Sequence, residues 1–210
     1  MRLKAEGRVG RCGRTRDRVK SRGMTWVEHR FEDVPDFLRQ MERYSSVWWI
    51  FRGQADASWQ LVPKAGRAGY LNPRWAADWD LHRFCEWRRQ AIGFCADVPA
   101  DDLECLAYAQ HYGFATRLLD WSTNPLVALY FAAETHAEVD GAVFCYLCEH
   151  TIHDAIHGAS GDKQEVGEVA RYNARPFDPR LAAQDGVFTV HRKPEPSRYW
   201  GDRCRNTLRT

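Results

Sequence analysis

The stretch Ala109-Gln110-His111-Tyr112-Gly113-Phe114-Ala115-Thr116-Arg117-Leu118-Leu119-Asp120-Trp121 contains a change of period that sets the architecture. Just before it, Asp101-Asp102 opens a helix through Leu103, Leu106, Ala107 and Gln110, and Gly113 stands where a helix C-terminus takes a left-handed residue. Gln110 and His111 therefore fall in the last helical turn. From Thr116 to Trp121 the chain reads as short and extended, with Thr116, Leu118 and Asp120 on one face and Arg117, Leu119 and Trp121 on the other. Ser122-Thr123-Asn124-Pro125 then supplies capping residues with proline at the first helical position. The helix it opens, about 125–138, has a face of Leu126, Leu129, Tyr130 and Ala133. Val127, Ala128, Phe131 and Ala132 make it apolar almost all round, which predicts a central, buried helix.

Working outward, Val34, Phe37, Leu38 and Met41 recur at helical spacing from 33 to 44, with Asp33 as cap and Pro35 in the first turn. Val47-Trp48-Trp49-Ile50-Phe51 is a strand that Gly53 stops, which puts Arg52 at the strand's end. Residues 54–72 are punctuated by Pro63, Gly66 and Gly69 and read as a structured loop, and 73–95 as one or two amphipathic helices. Downstream come a buried strand over Gly141 to Cys148 and a polar stretch from 151 to 176 read as loop with short helix. A short capped helix over 178–184 and a strand over 187–190 follow. Helices and strands in this order predict an α+β fold, a single compact domain with a mixed or antiparallel sheet and flanking helices. The domain is expected over 24–190, with its core at about 47–190 and a polar tail at 191–210.

The chain has 210 residues, nine Trp, ten Phe and eight Tyr, which is globular usage. Its formal charge of +2 is unevenly spread. Residues 1–23 hold nine Lys/Arg against Glu6 and Asp17, so the rest is mildly acidic. That basic segment, without apolar periodicity, is expected to be a disordered arm able to contact anions, with Met24 as an alternative start. No apolar run approaches a membrane span and no apolar export segment follows the basic N-terminus, so a cytoplasmic protein is expected. The odd count of seven Cys favours free thiols. Cys145-x-x-Cys148, with His150 and His153 close behind, invites a zinc reading. Strand geometry opposes it, because residues three apart point to opposite faces, and no metal is expected.

The segment Thr116 to Trp121 gathers a hydroxyl, a cation, a carboxylate and an indole around two leucines. Arg117 and Asp120 can form an ion pair tying strand to helix, Asp120 can cap the next helix, or both can face a ligand. His111 sits at a helix end, where the helix dipole favours its cationic form. Arg52 has the chemistry for a bidentate grip on phosphate or carboxylate, and Gly53 lets a backbone approach closely. No Walker loop, G-x-G-x-x-G turn, G-x-S-x-G elbow or H-E-x-x-H occurs.

Three blocks resemble the FRG domain, a family named for its Phe-Arg-Gly motif and common in bacterial proteins. They are Phe51-Arg52-Gly53-Gln54 with Trp59 to Pro63; Ala109 to Trp121 with Asn124 to Ala132; and Arg180 with Gln184, Gly186 and Phe188. Together they span about 48–188. A weaker resemblance is to ADP-ribosyltransferases, which place an Arg-Gly near the end of an early strand. Their Ser/Thr strand enters a helix ending in a Phe-Ala-like pair, as Ser122-Thr123 leads here to Phe131-Ala132. This resemblance implies NAD as substrate, with Arg52, Gly53, Gln54, Gln110, Arg117, Trp121 and Arg180 binding it and His111, Thr116, Asp120 and Gln184 as candidate catalytic groups. The chain departs from those enzymes at the late catalytic glutamate, where it offers Gln184 and Asp185. Two function classes follow. One is an NAD-binding transferase serving as toxin or defence effector on a protein or nucleic-acid target. The other is a noncatalytic module recognising nucleic acid, nucleotide or an acidic partner.

Overall fold

The computed structural model describes residues 1–6, 27–70, 78–136, 138–149, 151–152 and 169–194. In chain order the elements begin with β1 (Arg2–Glu6), β2 (Val27–Arg30), α1 (Val34–Met41), β3 (Trp49–Gln54), α2 (Trp79–Phe94) and α3 (Asp102–His111). There follow β4 (Leu118–Ser122), α4 (Pro125–Ala133), β5 (Ala142–Leu147), β6 (Thr151–Ile152), β7 (Val169–Tyr172), α5 (Pro179–Ala183) and β8 (Gly186–His191). Helices with strands in mixed pairing make the chain α+β. Its residues gather in two compact units, one from Met1–Trp59 and Ser122–Cys148, the other from Gln60–Trp121 and Glu149–Ser197. Among the described residues no helix is long and apolar enough to cross a membrane.

The first unit orders its strands β2-β1-β5-β3. β1 runs antiparallel to β2 and parallel to β5, while β3 runs antiparallel to β5 with Arg52 opposite Phe144 and Gly53 opposite Val143. Asp33 caps α1 by accepting from the Asp36 N–H at 2.7 Å, as the sequence predicts. Phe37 and Met41 turn inward to join Phe31, Phe51, Val143 and Cys145 in the core. Asn124 caps α4 by accepting from the Leu126 N–H at 2.9 Å, with Pro125 at the start of the helix, so Asp120 is not the cap. Helix α4 lies against β3 through its smallest side chains. A Cβ built on Gly53 would stand 1.8 Å from the Ala128 carbonyl oxygen, and one on Gly141 would stand 2.2 Å from that of Ala132. Only glycine permits this approach, so the glycine of Phe-Arg-Gly meets the protein's own helix.

That packing corrects the expected central helix. Ala128 and Ala132 are its buried residues, while Leu126, Tyr130 and Phe131 are exposed, and the helix ends at Ala133 rather than near 138. Leu129 also packs against this core, so one large residue joins the two alanines while the others face away. β3 also runs on through Gly53 to Gln54, which places Arg52 inside the strand rather than at its end. The expected arm holds a strand: β1 finds partners on both sides, in segments distant in sequence. The remainder of that arm, from residue 7, lies outside the described residues, as do His150, His153 and the tail beyond 194. Cys145 and Cys148 are both buried.

The second unit orders its strands β4-β8-β7-β6, with β7 antiparallel to β8 and parallel to β6. Val169 to Tyr172 is buried throughout, a strand hidden inside the stretch read as loop because four residues carrying an arginine give no periodic signal. Asp101 caps α3 by accepting from the N–H groups of Leu103 and Glu104, both at 2.9 Å. Gly113 closes the helix at φ +87°, with the Phe114 N–H on the Ala109 carbonyl at 3.0 Å. Phe84, Leu106, Ala109, Leu118, Tyr172 and Phe188 form the core beneath α2 and α3.

Candidate functional site

Within the second unit a pocket of about 420 Å³ opens where the last turn of α3 meets β4. That volume lies in the usual range for small-molecule sites, roughly 300 to 1,000 Å³. Helix α3 contributes Ala107, Gln110 and His111, and β4 contributes Leu118, Leu119 and Asp120. Lys64 and Arg67 come from a 3-10 turn over Lys64–Gly66 and the residue that follows it. Phe177, Leu181, Gln184 and Phe188 complete the wall from the segment around α5 and the start of β8. The apolar members of the lining are Ala107, Leu118, Leu119, Phe177, Leu181 and Phe188, and its polar groups among the described residues are two cations, a carboxylate, an imidazole and two amides.

Several contacts fix these groups. The turn carrying Lys64 is held by the Ala65 N–H on the Thr116 carbonyl at 3.1 Å. It packs so closely on Pro194 that a Cβ at Gly66 would stand 1.6 Å from the Pro194 carbonyl oxygen. Lys64 Nζ donates to the Gly113 carbonyl at 2.8 Å and lies 5.4 Å from the Tyr70 ring centroid. His111 Nε2 is 3.2 Å from Asp178 Oδ2, and its ring meets Phe177 edge-on at 5.7 Å. Gln110 Nε2 donates to Asp120 Oδ1 at 2.7 Å. Its Oε1 accepts from the buried Thr116 hydroxyl, which itself accepts from the Leu118 N–H at 3.1 Å.

Of the residues singled out from the sequence, Gln110, His111, Asp120 and Gln184 share this pocket. Thr116 stands behind it, on Gln110. Arg117 turns elsewhere: its buried guanidinium pairs with Asp80 through Nε at 2.8 Å and Nη2 at 2.7 Å, and reaches Asp78 Oδ1 at 3.2 Å and the Arg192 carbonyl at 2.9 Å. The Arg117–Asp120 ion pair weighed from the sequence is thus replaced by one with the first turn of α2. Burial alone would lower the Arg117 pKa, but the hydrogen bonds and charges of Asp80 and Asp78 outweigh it and raise the value. Trp121 is buried, donating from Nε1 to Thr189 Oγ1 at 2.9 Å, and Thr189 Oγ1 lies 3.0 Å from His191 Nε2. Arg180 falls in α5, and its side chain lies outside the described residues. Arg52, Gly53 and Gln54 belong to β3 of the first unit, where the Gln54 Oε1 is buried without a hydrogen-bond partner among the described residues.

Sequence reasoning missed Lys64, Arg67 and Phe177. The motif block ending at Pro63 stops one residue short of Lys64, and the 3-10 turn that follows a proline is the signal that was available. Phe177 sits between two prolines and gives no periodic cue.

Fold and pocket together define an α+β module with a polar, partly cationic cleft. Residues 48–141 match the family model of the FRG domain. The match includes Lys64, Arg67, Gln110, His111 and Asp120, and stops short of the third resembling block around Gln184. No curated protein and no solved structure matches the chain.

Proposed function

We propose that the pocket of the second unit binds a nucleotide of the NAD class, in the manner of an ADP-ribosyltransferase-like domain. The observation that carries this reading is the meeting of Lys64 and Arg67 with Gln110, Asp120, Gln184 and the Phe177 ring in one pocket lining. Cations suit a diphosphate, amides and a carboxylate suit ribose hydroxyls and the polar edges of a base, and a phenyl ring suits a base face. His111, held between Asp178 and Phe177, is the group placed to exchange a proton. A bacterial toxin or defence effector acting on a protein or nucleic acid is the role that such chemistry serves.

Calorimetric titration with NAD⁺, run beside a nicotinamide-release assay, tests the proposal. Saturable binding that weakens in Lys64→Ala and Arg67→Ala, with release lost in His111→Ala, is the expected result. Absence of NAD⁺ binding by the wild type would dismiss it.

A second reading, noncatalytic recognition of a nucleotide, nucleic acid or acidic partner, is favoured by one feature. His111 and Asp120 already engage Asp178 and Gln110, as in a site built to hold rather than to turn over. Binding without nicotinamide release by the wild type selects this reading.

A further inference from the structure

We infer that Asp120, held in place through Gln110 by Thr116, sets the pocket's choice among nucleotides: it accepts one that presents sugar hydroxyls there and rejects one that presents a phosphate. This rests on the nucleotide reading above. Among the described lining residues Asp120 is the one carboxylate, and Lys64 and Arg67 are the lysine and arginine. A pocket with cations alone would take any phosphate that fits. A carboxylate in the same lining penalises an anion at its own position while accepting donors there, as carboxylates do from ribose hydroxyls.

The direction of the Gln110 amide follows from its two neighbours. A carboxylate only accepts, so Gln110 must turn its nitrogen to Asp120, as the 2.7 Å bond has it. The Thr116 hydroxyl takes the Leu118 N–H on one lone pair and spends its own hydrogen on Gln110 Oε1. Thr116 is fully buried, so water does not compete for that hydrogen. The chain Leu118 N–H, Thr116 hydroxyl, Gln110 amide, Asp120 carboxylate therefore runs in one sense and ends on Asp120 Oδ1. Thr116 is on this account a positioning residue, and Asp120 the residue that meets the ligand.

The test compares NAD⁺ with NADP⁺, which differ by a ribose 2′-phosphate, by calorimetry on the full chain. The wild type should bind NAD⁺ at least roughly tenfold more tightly, the scale of one charge-assisted contact exchanged for repulsion. Asp120→Asn, nearly isosteric, should bring the two affinities together. Thr116→Val should erode the preference and Thr116→Ser restore it, with melting temperatures confirming that all three variants fold. Equal affinity of the wild type for both nucleotides would overturn the inference and leave the nucleotide reading standing. A preference that survives in Asp120→Asn would also overturn it. Binding of neither nucleotide would remove both.

Discussion

Arg117 and Asp80 form a bidentate, buried ion pair, Nε to Oδ2 at 2.8 Å and Nη2 to Oδ1 at 2.7 Å, joining the chain just before β4 to the first turn of α2. Removing one member leaves the other charge buried, so Asp80→Ala should cost about 3 to 5 kcal/mol in urea denaturation. Replacing both at once, with Arg117→Met and Asp80→Leu, should cost clearly less than either single change, and equal losses would show that packing rather than charge is at stake. The raised Arg117 pKa gives stability that is present below the ordinary arginine value and lost only as pH climbs through the folded value. That window lies far above neutrality, so the guanidinium itself should add no slope to stability between pH 5 and 9.

Gly53→Ala should be among the most damaging single-methyl additions in the chain. The new carbon would stand 1.8 Å from one backbone oxygen and 2.7 Å from the Ala132 nitrogen, and neither atom belongs to a side chain that can rotate away. A loss of about 3 kcal/mol or more is expected, beyond the usual range for overpacking. Gly69→Ala is the control: nothing lies within 4 Å of its added carbon, and the melting temperature should hardly move.

Lys64→Ala and Arg67→Ala should each weaken binding of an anionic nucleotide by roughly tenfold while leaving the fold intact, since one is part-buried and the other exposed. Calorimetry at two salt concentrations checks this, because the wild-type affinity should fall with salt more steeply than that of either variant.

Alkylation of the native chain should sort the five described cysteines by burial. Cys85 and Cys95 are exposed and should react, whereas Cys105, Cys145 and Cys148 should stay protected until denaturant is added. Burial pushes the Cys145 thiol well above the ordinary thiol range, so raising the pH to 9 should not uncover it. Peptide mapping reads the outcome, and early labelling of Cys145 would mean that β5 opens locally.

Much of the secondary structure was written in short-range pattern. Asp33 caps the helix it was expected to cap, Asn124 is one of the capping residues expected before Pro125, α3 begins where Asp101-Asp102 was expected to open a helix, and Gly113 ends it with a positive φ. These are local devices whose partners lie within a few residues, so the sequence carries their physics in full.

The candidate site was legible in part. Gln110, His111, Asp120 and Gln184 share the pocket, but the partners that define their roles lie far along the chain. Asp80, 37 residues from Arg117, decided that this arginine ties α2 rather than gripping a ligand. The approach of Ala128 to Gly53 decided that α4 leaves Leu126, Tyr130 and Phe131 exposed, against the reading of its composition. The sequence by itself determined most helix starts, the strands β3, β4, β5 and β8 and the resemblance to the FRG family, because caps and periods are set by neighbours. Only the tertiary structure could choose the partner of each buried charge and the face each helix packs, because those choices minimise desolvation and overlap between segments that the chain order keeps apart.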